Sequence, residues 1–498
     1  MERISVACTT ERRSSARVSA SRSKPSTRDH RPMYIDGAYW AWIPAIRSST
    51  RGSGARTRSS SSCRASRARL RSRCVSTRSA PRLGYGTRSM SIDGDLDKVL
   101  LTEPELWAGG PPHELFRRLR RECPIHWTER ITEYPEEAGY WSVTRPDDIQ
   151  TVSREWKTYS SERGGVTAAA VGFPIELLRA MFIGMDPPKH DRIKQLFQAG
   201  FTPKRIAAHE DSIRGIVVDV LDRLEGRDTC DLVNDVAQPA VSRVIGSFMG
   251  IPEEDDAVWA NLMNSTLGAG DPDLNPLGIE GVVTKDLPEI FERCRRMIAV
   301  RRENPTDDLT SVLVHAEIDG QHLEEHEIVM GFFLLVAAGN DSTKATYCSG
   351  MRALMDHPDQ RQLLLDDPSL IPSAVEESLR MFPAFAHFRR TATCDTELGG
   401  QRIREGEKVV MWYVSSNRDE SRYEDPDRFD IRRNPEHQAF GAGGRHFCLG
   451  TALARLELRI MFEETLARFP TMEPAGTPTV VESMFLNQLK TLPVRPSP

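Results

Sequence analysis

Nowhere does the chain hold an apolar run of the ~20 residues that a membrane-spanning helix needs. The longest strongly apolar stretch, Met330 to Gly339, stops well short of that. Cysteine is sparse, nine among 498 residues, scattered without paired spacing and with no hydrophobic signal segment ahead. This argues against a disulfide-framed secreted scaffold and for reduced thiols in a cytoplasmic setting. Acidic residues are nearly missing from residues 1–89, which carry four of them against twenty Arg or Lys. With that segment's +16 set apart from the whole chain's −5, the remainder stands near −21. The basic, Ser-rich segment has too little apolar material to offset the entropy of ordering it, so residues 1–89 are expected to be a disordered extension. Its composition fits an organelle transit peptide, a basic tail for nucleic acid or anionic lipid, or an upstream extension of a chain that starts near Met90. The rest has the balance of a soluble globular protein, 39% hydrophobic and 28% charged overall.

What the chain does have is one cysteine in an unusual setting. Phe440-Gly-Ala-Gly-Gly444-Arg-His446-Phe-Cys448-Leu-Gly450 is a glycine-rich loop, and Leu449, Leu453, Leu456 and Ile460 then recur with helical spacing. Cys448 thus sits where a loop enters a helix N-terminus, a place that favours thiolate. Thiolates attack electrophiles or bind soft metals. The plainer reading is a small buried hydrophobe.

The loop closely resembles the haem-binding loop of the cytochrome P-450 family, the haem-thiolate monooxygenases. The resemblance implies Cys448 as the iron ligand, with Phe440, Gly444 and Gly450 shaping the cradle. Phe440 lies eight residues before the cysteine and Gly441 seven, where the commonest family loop has phenylalanine. Some sterol-, fatty-acid- and terpenoid-hydroxylating bacterial members are similar to this longer version. Bacterial members also begin as the chain does near Met90, which favours the upstream-extension reading and a haem domain over residues 90–498.

Other stretches support the likeness in order from about Glu103 to the end. Met185-Asp-Pro-Pro-Lys-His190 opens a helix on which His190 and Lys194 share a face. Alone that is a solvated basic face. The resemblance makes both donors to a haem propionate, with Lys194 replacing the family's usual arginine and losing its planar fork. Leu323 to Asp356 is one long helical pattern carrying Ala337-Ala-Gly339-Asn-Asp341-Ser342-Thr343, all but the alanines poor mid-helix residues, so a loosened turn is expected. In the family this is the oxygen-binding groove. Gly339 would admit dioxygen, and Asp341 with the hydroxyls of Ser342 and Thr343 would supply protons. Ser342 stands where threonine is usual and lacks its stiffening methyl. Glu377 and Arg380, at i and i+3, match a buried family ion pair that Arg428 of Pro426-Asp-Arg-Phe would join. Arg390 and His446 match further propionate donors.

The resemblance implies a mainly α fold with a smaller β-rich subdomain, haem b (iron protoporphyrin IX), and insertion of one oxygen atom of O2 into a C–H bond. NAD(P)H would act indirectly, through a separate ferredoxin and ferredoxin reductase docking near Arg445, Arg455 and Arg459. The expected pocket segments, Val166 to Phe173, Phe332, Val336, Phe385 and Met484 to Leu486 with Phe485 at the tip, are apolar and suggest a terpenoid, steroid or fatty acid. A monomer without nucleic-acid partner is expected. A peroxide-driven peroxygenase and a non-catalytic haem sensor stay open as alternatives.

Overall fold

The computed structural model describes residues 96–497 apart from 132–133, 170–174, 199 and 319, all within the unit Pro81–Pro498. The expected extension 1–89 and the pocket residues 170–173 therefore lie outside the described residues. Helix α1, His113–Glu122, buries Leu115, Phe116 and Leu119 and leads into strands β1, Ile125–Ile131, and β2, Tyr134–Val143. Helix α2, Pro146–Arg154, begins on a proline, whose fixed φ suits a first turn. Strand β3 is Tyr159–Ser160, and helix α3, Lys189–Gln198, follows the Asp-Pro-Pro turn. Helices α4, Gln238–Met249, and α5, Asp256–Leu267, come next.

Helix α6, Glu325–Asp356, is the axis of the core. Its 32 residues correspond to ~48 Å at 1.5 Å per residue. A capping box between Glu324 and Glu327 starts it, and both α4 and α5 pack against it. The expected loosened turn is absent, and the helix runs unbroken through Gly339 to Thr343. Packing from several sides outweighs the poor local propensities there. A Cβ on Gly339 would stand 2.9 Å from Ile245 of α4, so glycine is needed for that helix crossing.

Beyond it come helix α7, Ile371–Met381, and strands β4, His387–Ala392, and β5, Lys408–Trp412. Helix α8, Thr451–Arg468, carries the chain away from the cysteine loop, and the short strands β6, Thr479–Val480, and β7, Leu489–Thr491, form a terminal hairpin. The main sheet has the order β1-β2-β5-β4-β3, parallel only between β2 and β5. Its register sets Arg390 against Val409 and Trp127 against Trp141. Mostly helical, with a smaller sheet portion, the architecture agrees with expectation. No helix among the described residues is long and apolar enough to cross a membrane.

Candidate active site

The cysteine loop is fixed from three sides. Gly441, Gly443 and Gly444 all have positive φ, and a Cβ on Gly444 would meet the Ser153 carbonyl oxygen at 2.5 Å, so that site admits only glycine. Ser153 Oγ donates to Gly443 O (2.7 Å), and Cys448 N–H donates to Phe440 O (3.0 Å), closing the turn. Lys194 reaches over from α3 and donates to the carbonyls of Arg445 and Phe447, the latter at 2.8 Å. Two of the three donors of its ammonium are thus engaged by loop carbonyls, and Lys194 anchors the cysteine loop.

Cys448 keeps accessible surface, yet surrounding protein raises its thiol pKa by burial, against the pull of Gly450 N–H, Lys194 and Arg455. Both observations hold if the sulfur lines a concavity and does not sit on a convex surface. The helix N-terminus therefore does not by itself make a thiolate here, contrary to expectation, because desolvation outweighs it. Gly450 acts through its N–H. A Cβ there would meet no other atom within 4 Å.

Around that concavity stand basic groups short of anions. The rings of His190 and His446 lie 4.3 Å apart between centroids. His446 Nε2 is 3.2 Å from Ser161 Oγ, while His190 Nδ1 meets Asp191 at 2.9 Å and its buried Nε2 has no hydrogen-bond partner. Arg390, buried, makes one described hydrogen bond, to the carbonyl of its neighbour Arg389 (2.7 Å). Burial lowers the pKa of all three, and Arg390 and His190 depress that of His446 further. With both imidazoles driven towards the neutral form, the Arg390 guanidinium is the buried charge here, and no carboxylate hydrogen-bonds it. A ligand with two carboxylates and a metal open to sulfur would partner that guanidinium and the orphaned nitrogen of His190, so the residues present fit haem.

α6 is buried along most of its length, but in its middle Leu334, Ala338, Gly339 and Ser342 keep surface. That stripe is the groove face. Phe332 and Val336, expected in the pocket, are fully buried. Phe332 packs instead on Trp259 at 5.4 Å. Ser342 Oγ donates to Ala338 O (2.8 Å), Thr343 Oγ1 to Glu457 Oε2 of α8 (2.8 Å), and Asp341 is ion-paired with Lys344. The three groups thus point three ways. Phe385 and Phe485 do meet, in a wall where Phe485, next to Met484 in the chain, lies tilted against Phe385 (5.1 Å) and edge-on to Phe388 (5.6 Å). His387 ties this wall together, donating from Nδ1 to Met484 O (3.1 Å) and accepting at Nε2 from Ala168 N–H (3.0 Å). Phe388 and His387 escaped sequence reading, though strand alternation places Phe388 on the face of Arg390.

Behind the loop, Arg380 and Glu377 have no accessible surface and pair through two hydrogen bonds of 2.7 and 2.8 Å. Arg380 also donates to the carbonyls of Asn417 and Pro426, both at 2.8 Å. The third arginine is Arg433, 3.2 Å from Glu377, and not Arg428. Arg428 is exposed and contributes its carbonyl. Arg433→Ala should lower unfolding free energy by about 1.5–3 kcal/mol, the worth of a charged hydrogen bond, and Arg428→Ala by about 0.5 or less, read by urea denaturation.

Glu457 was also missed, although an acid at i+4 from Leu453 and i−3 from Ile460 stands on the apolar stripe of α8. Burial raises its pKa to about 8. With the folded value above the unfolded one, its stabilisation is complete below the ordinary Glu range and is lost as pH rises through about 8. Glu457→Gln should therefore flatten the fall of Tm between about pH 4.5 and about 8, each unit of raised pKa being worth about 1.4 kcal/mol.

Comparison with known proteins agrees with this geometry. The family model described as Cytochrome P450 matches residues 281–492. A methyl-branched lipid omega-hydroxylase of Mycobacterium tuberculosis is 37% identical over 76% of the chain and 90% of its own length. Linalool 8-monooxygenase of Pseudomonas putida is 34% identical over 80% of the chain and 99% of its own. The solved structure of a Mycobacterium marinum cytochrome P450 in complex with pseudoionone is 37% identical, with a TM-score of 0.76 over 80% of the chain and 98% of that one.

Proposed function

The chain belongs to the cytochrome P450 family of haem monooxygenases, and on that premise we propose that it hydroxylates an apolar lipid or terpenoid-like molecule with O2 and electrons from separate carriers. The carrying observation is the juxtaposition of Cys448 with the anion-poor basic cluster of His190, His446 and Arg390. When bound there, haem supplies the iron at which dioxygen is activated. Cys448 would be the sulfur ligand of that iron, Arg390 and His446 would hold the haem carboxylates, and His190 would offer its free Nε2. Lys194 keeps the ligand loop in register.

On the groove side, Ala338 and Ser342 leave room for dioxygen, and the Ser342 hydroxyl can turn from Ala338 O to donate. Asp341 takes protons from solvent and passes them on, returning to the anion afterwards. The substrate lies against Phe385, Phe388, Met484 and Phe485. This apolar wall excludes water and leaves few polar handles, which supports a hydrocarbon substrate. The lipid and linalool oxidations of the two relatives support the same class.

Electrons come from a ferredoxin and its reductase, which themselves draw on NAD(P)H. Arg445, Arg455 and Arg459 are partly exposed near the cysteine but already face Asp191, Glu376 and Glu210. A docking partner therefore competes with internal carboxylates, and charge reversal at these arginines should slow reduction only moderately. The deciding test is titration of the haem-loaded protein with fatty acids, steroids and terpenoids, read from the haem spin state. Turnover with ferredoxin and reductase follows. Product from the titrating class supports the proposal; product with peroxide alone overturns the electron route.

A further inference from the structure

His387, on strand β4 and 1% exposed, joins three segments that are far apart in the chain. Its Nε2 faces the Ala168 N–H at 3.0 Å and must accept, so the ring proton sits on Nδ1, which donates to Met484 O. Burial, with Arg389 nearby, pushes the ring's pKa down to about 3 and keeps it neutral. Both bonds require that, because an imidazolium has no lone pair left to offer Ala168. The ring also lies against Trp412 (4.7 Å between centroids) and edge-on to Phe485 (5.5 Å). It therefore supports the aromatic tip of the apolar wall while tying two main chains together.

The two segments it joins are otherwise held unequally. The hairpin tip has bonds of its own to the stretch before β4. Ala386 N–H donates to Phe485 O (2.8 Å), Asn487 N–H to Ala384 O (2.8 Å), and Asn487 Nδ2 to Pro383 O (3.0 Å). Its stem is fastened at Lys490, whose ammonium meets buried Asp271 at 2.9 Å. The loop has less. Arg389 N–H donates to Val166 O (2.7 Å), and the Arg389 guanidinium reaches Thr167 O only at 3.4 Å. Among the described residues, Ala168 is the last position of this loop bonded to β4, and His387 is what holds it. Val166 to Phe173 is the stretch expected to line the pocket, so the hold falls inside it.

We propose that His387 is a positioning residue that fixes the Val166–Ala169 loop against the hairpin tip and thereby decides which carbon of an apolar substrate is hydroxylated. The inference rests on the reading of the Phe385–Phe485 wall as the place where substrate lies. Apolar contact is non-directional, so a hydrocarbon with few polar handles gets its register from the shape of the wall alone. A buried imidazole locked in one tautomer is a rigid spacer. It cannot turn without giving up both bonds, and a loop left free would let the substrate slide.

The test uses the full haem-loaded chain with His387→Gln, His387→Asn and His387→Leu. Glutamine carries its amide as far from the backbone as Nε2 and can still accept from Ala168. Asparagine carries its amide at the place of Nδ1 and can still donate to Met484 O, and leucine does neither. Hydrogen exchange of the amides at 166–169, without substrate, should quicken by about tenfold in His387→Asn and His387→Leu and stay near the parent rate in His387→Gln. Linalool, dodecanoic acid and cholesterol serve as probes, read from the haem spin state and then from the products made with ferredoxin and reductase. For each probe that binds, His387→Asn and His387→Leu should weaken binding by about two- to tenfold, the worth of one net hydrogen bond. Both should spread the product over more carbons and raise KM more than they lower kcat, with the ferrous–carbonyl band retained, and His387→Gln should restore most of the parent pattern. If His387→Leu does not fold, the other two variants carry the comparison. Unchanged exchange in His387→Asn overturns the proposal, as does a parent-like product ratio in a variant whose loop has been freed, or a His387→Gln as altered as His387→Asn. Phe485→Ala is the control for the wall. If it leaves titration and product ratio at parent values, or if none of the three probes shifts the parent's spin state, the reading of the wall is overturned instead.

Discussion

Cys448→Ala is expected to remove the red-shifted absorption of the ferrous–carbonyl complex completely and to abolish turnover. The loop should survive, since Cys448 contributes its backbone N–H to Phe440 O and alanine keeps that bond. Helical content by circular dichroism should therefore stay at the parent level while the band vanishes. His446 is poorly placed to take over. It packs against His190 and meets Ser161, on the anion-seeking side of the site. A persistent red-shifted band in the variant would count decisively against sulfur ligation. A change of fold alone would appear in circular dichroism as well.

The second large effect is structural. Arg380→Ala leaves Glu377 with Arg433 as its one remaining cation and strands the carbonyls of Asn417 and Pro426. Breaking a fully buried pair by removing one partner costs about 3–5 kcal/mol. Against a total stability on the order of 5–15 kcal/mol, that is enough to empty much of the folded population. The expected result is a urea midpoint lowered by a third or more and a sharp fall in haem content per chain. A midpoint within error of the parent would mean that the brace is dispensable. Replacing Glu377 and Arg380 together with apolar residues should cost less than Arg380→Ala, since the one charge left over, that of Arg433, keeps the carbonyls of Glu424 and Asp425 as partners.

How legible each part was follows from its physics. The cysteine loop could be read because several backbone constraints coincide there. Gly444 is forced by the Ser153 carbonyl and by a positive φ, and such demands leave few residue choices. The long helix could be read from its apolar continuity, but its interior could not. Poor helix formers at 339–343 suggested a loosened turn, whereas contacts from α4, α5 and α8 keep the helix regular. Thr343 looks like a groove residue in the sequence. In the structure it meets Glu457, a partner more than a hundred residues away.

The same limit explains Lys194, Arg428 and the pocket. Charge at position 194 was visible, but which acceptor a flexible four-carbon stem reaches depends on where the loop lies. Arg428 and Arg433 are alike in the sequence, and only the turn between them decides which guanidinium enters the core. Phe332 and Val336 are as apolar as any pocket residue. Helix rotation, set by packing on Trp259 and its neighbours, turns them from the groove and presents Leu334, Ala338 and Ser342.

The sequence by itself determined the cysteine loop, the order of motifs and the mainly helical class, because each rests on local backbone geometry or on a short-range period. Tertiary structure alone decided which way side chains face and which charges meet: Lys194 on the loop, Arg433 on Glu377, Lys344 on Asp341. Those pairings are made between segments far apart in the chain, or by a helix rotation fixed by its neighbours, and residue spacing encodes neither.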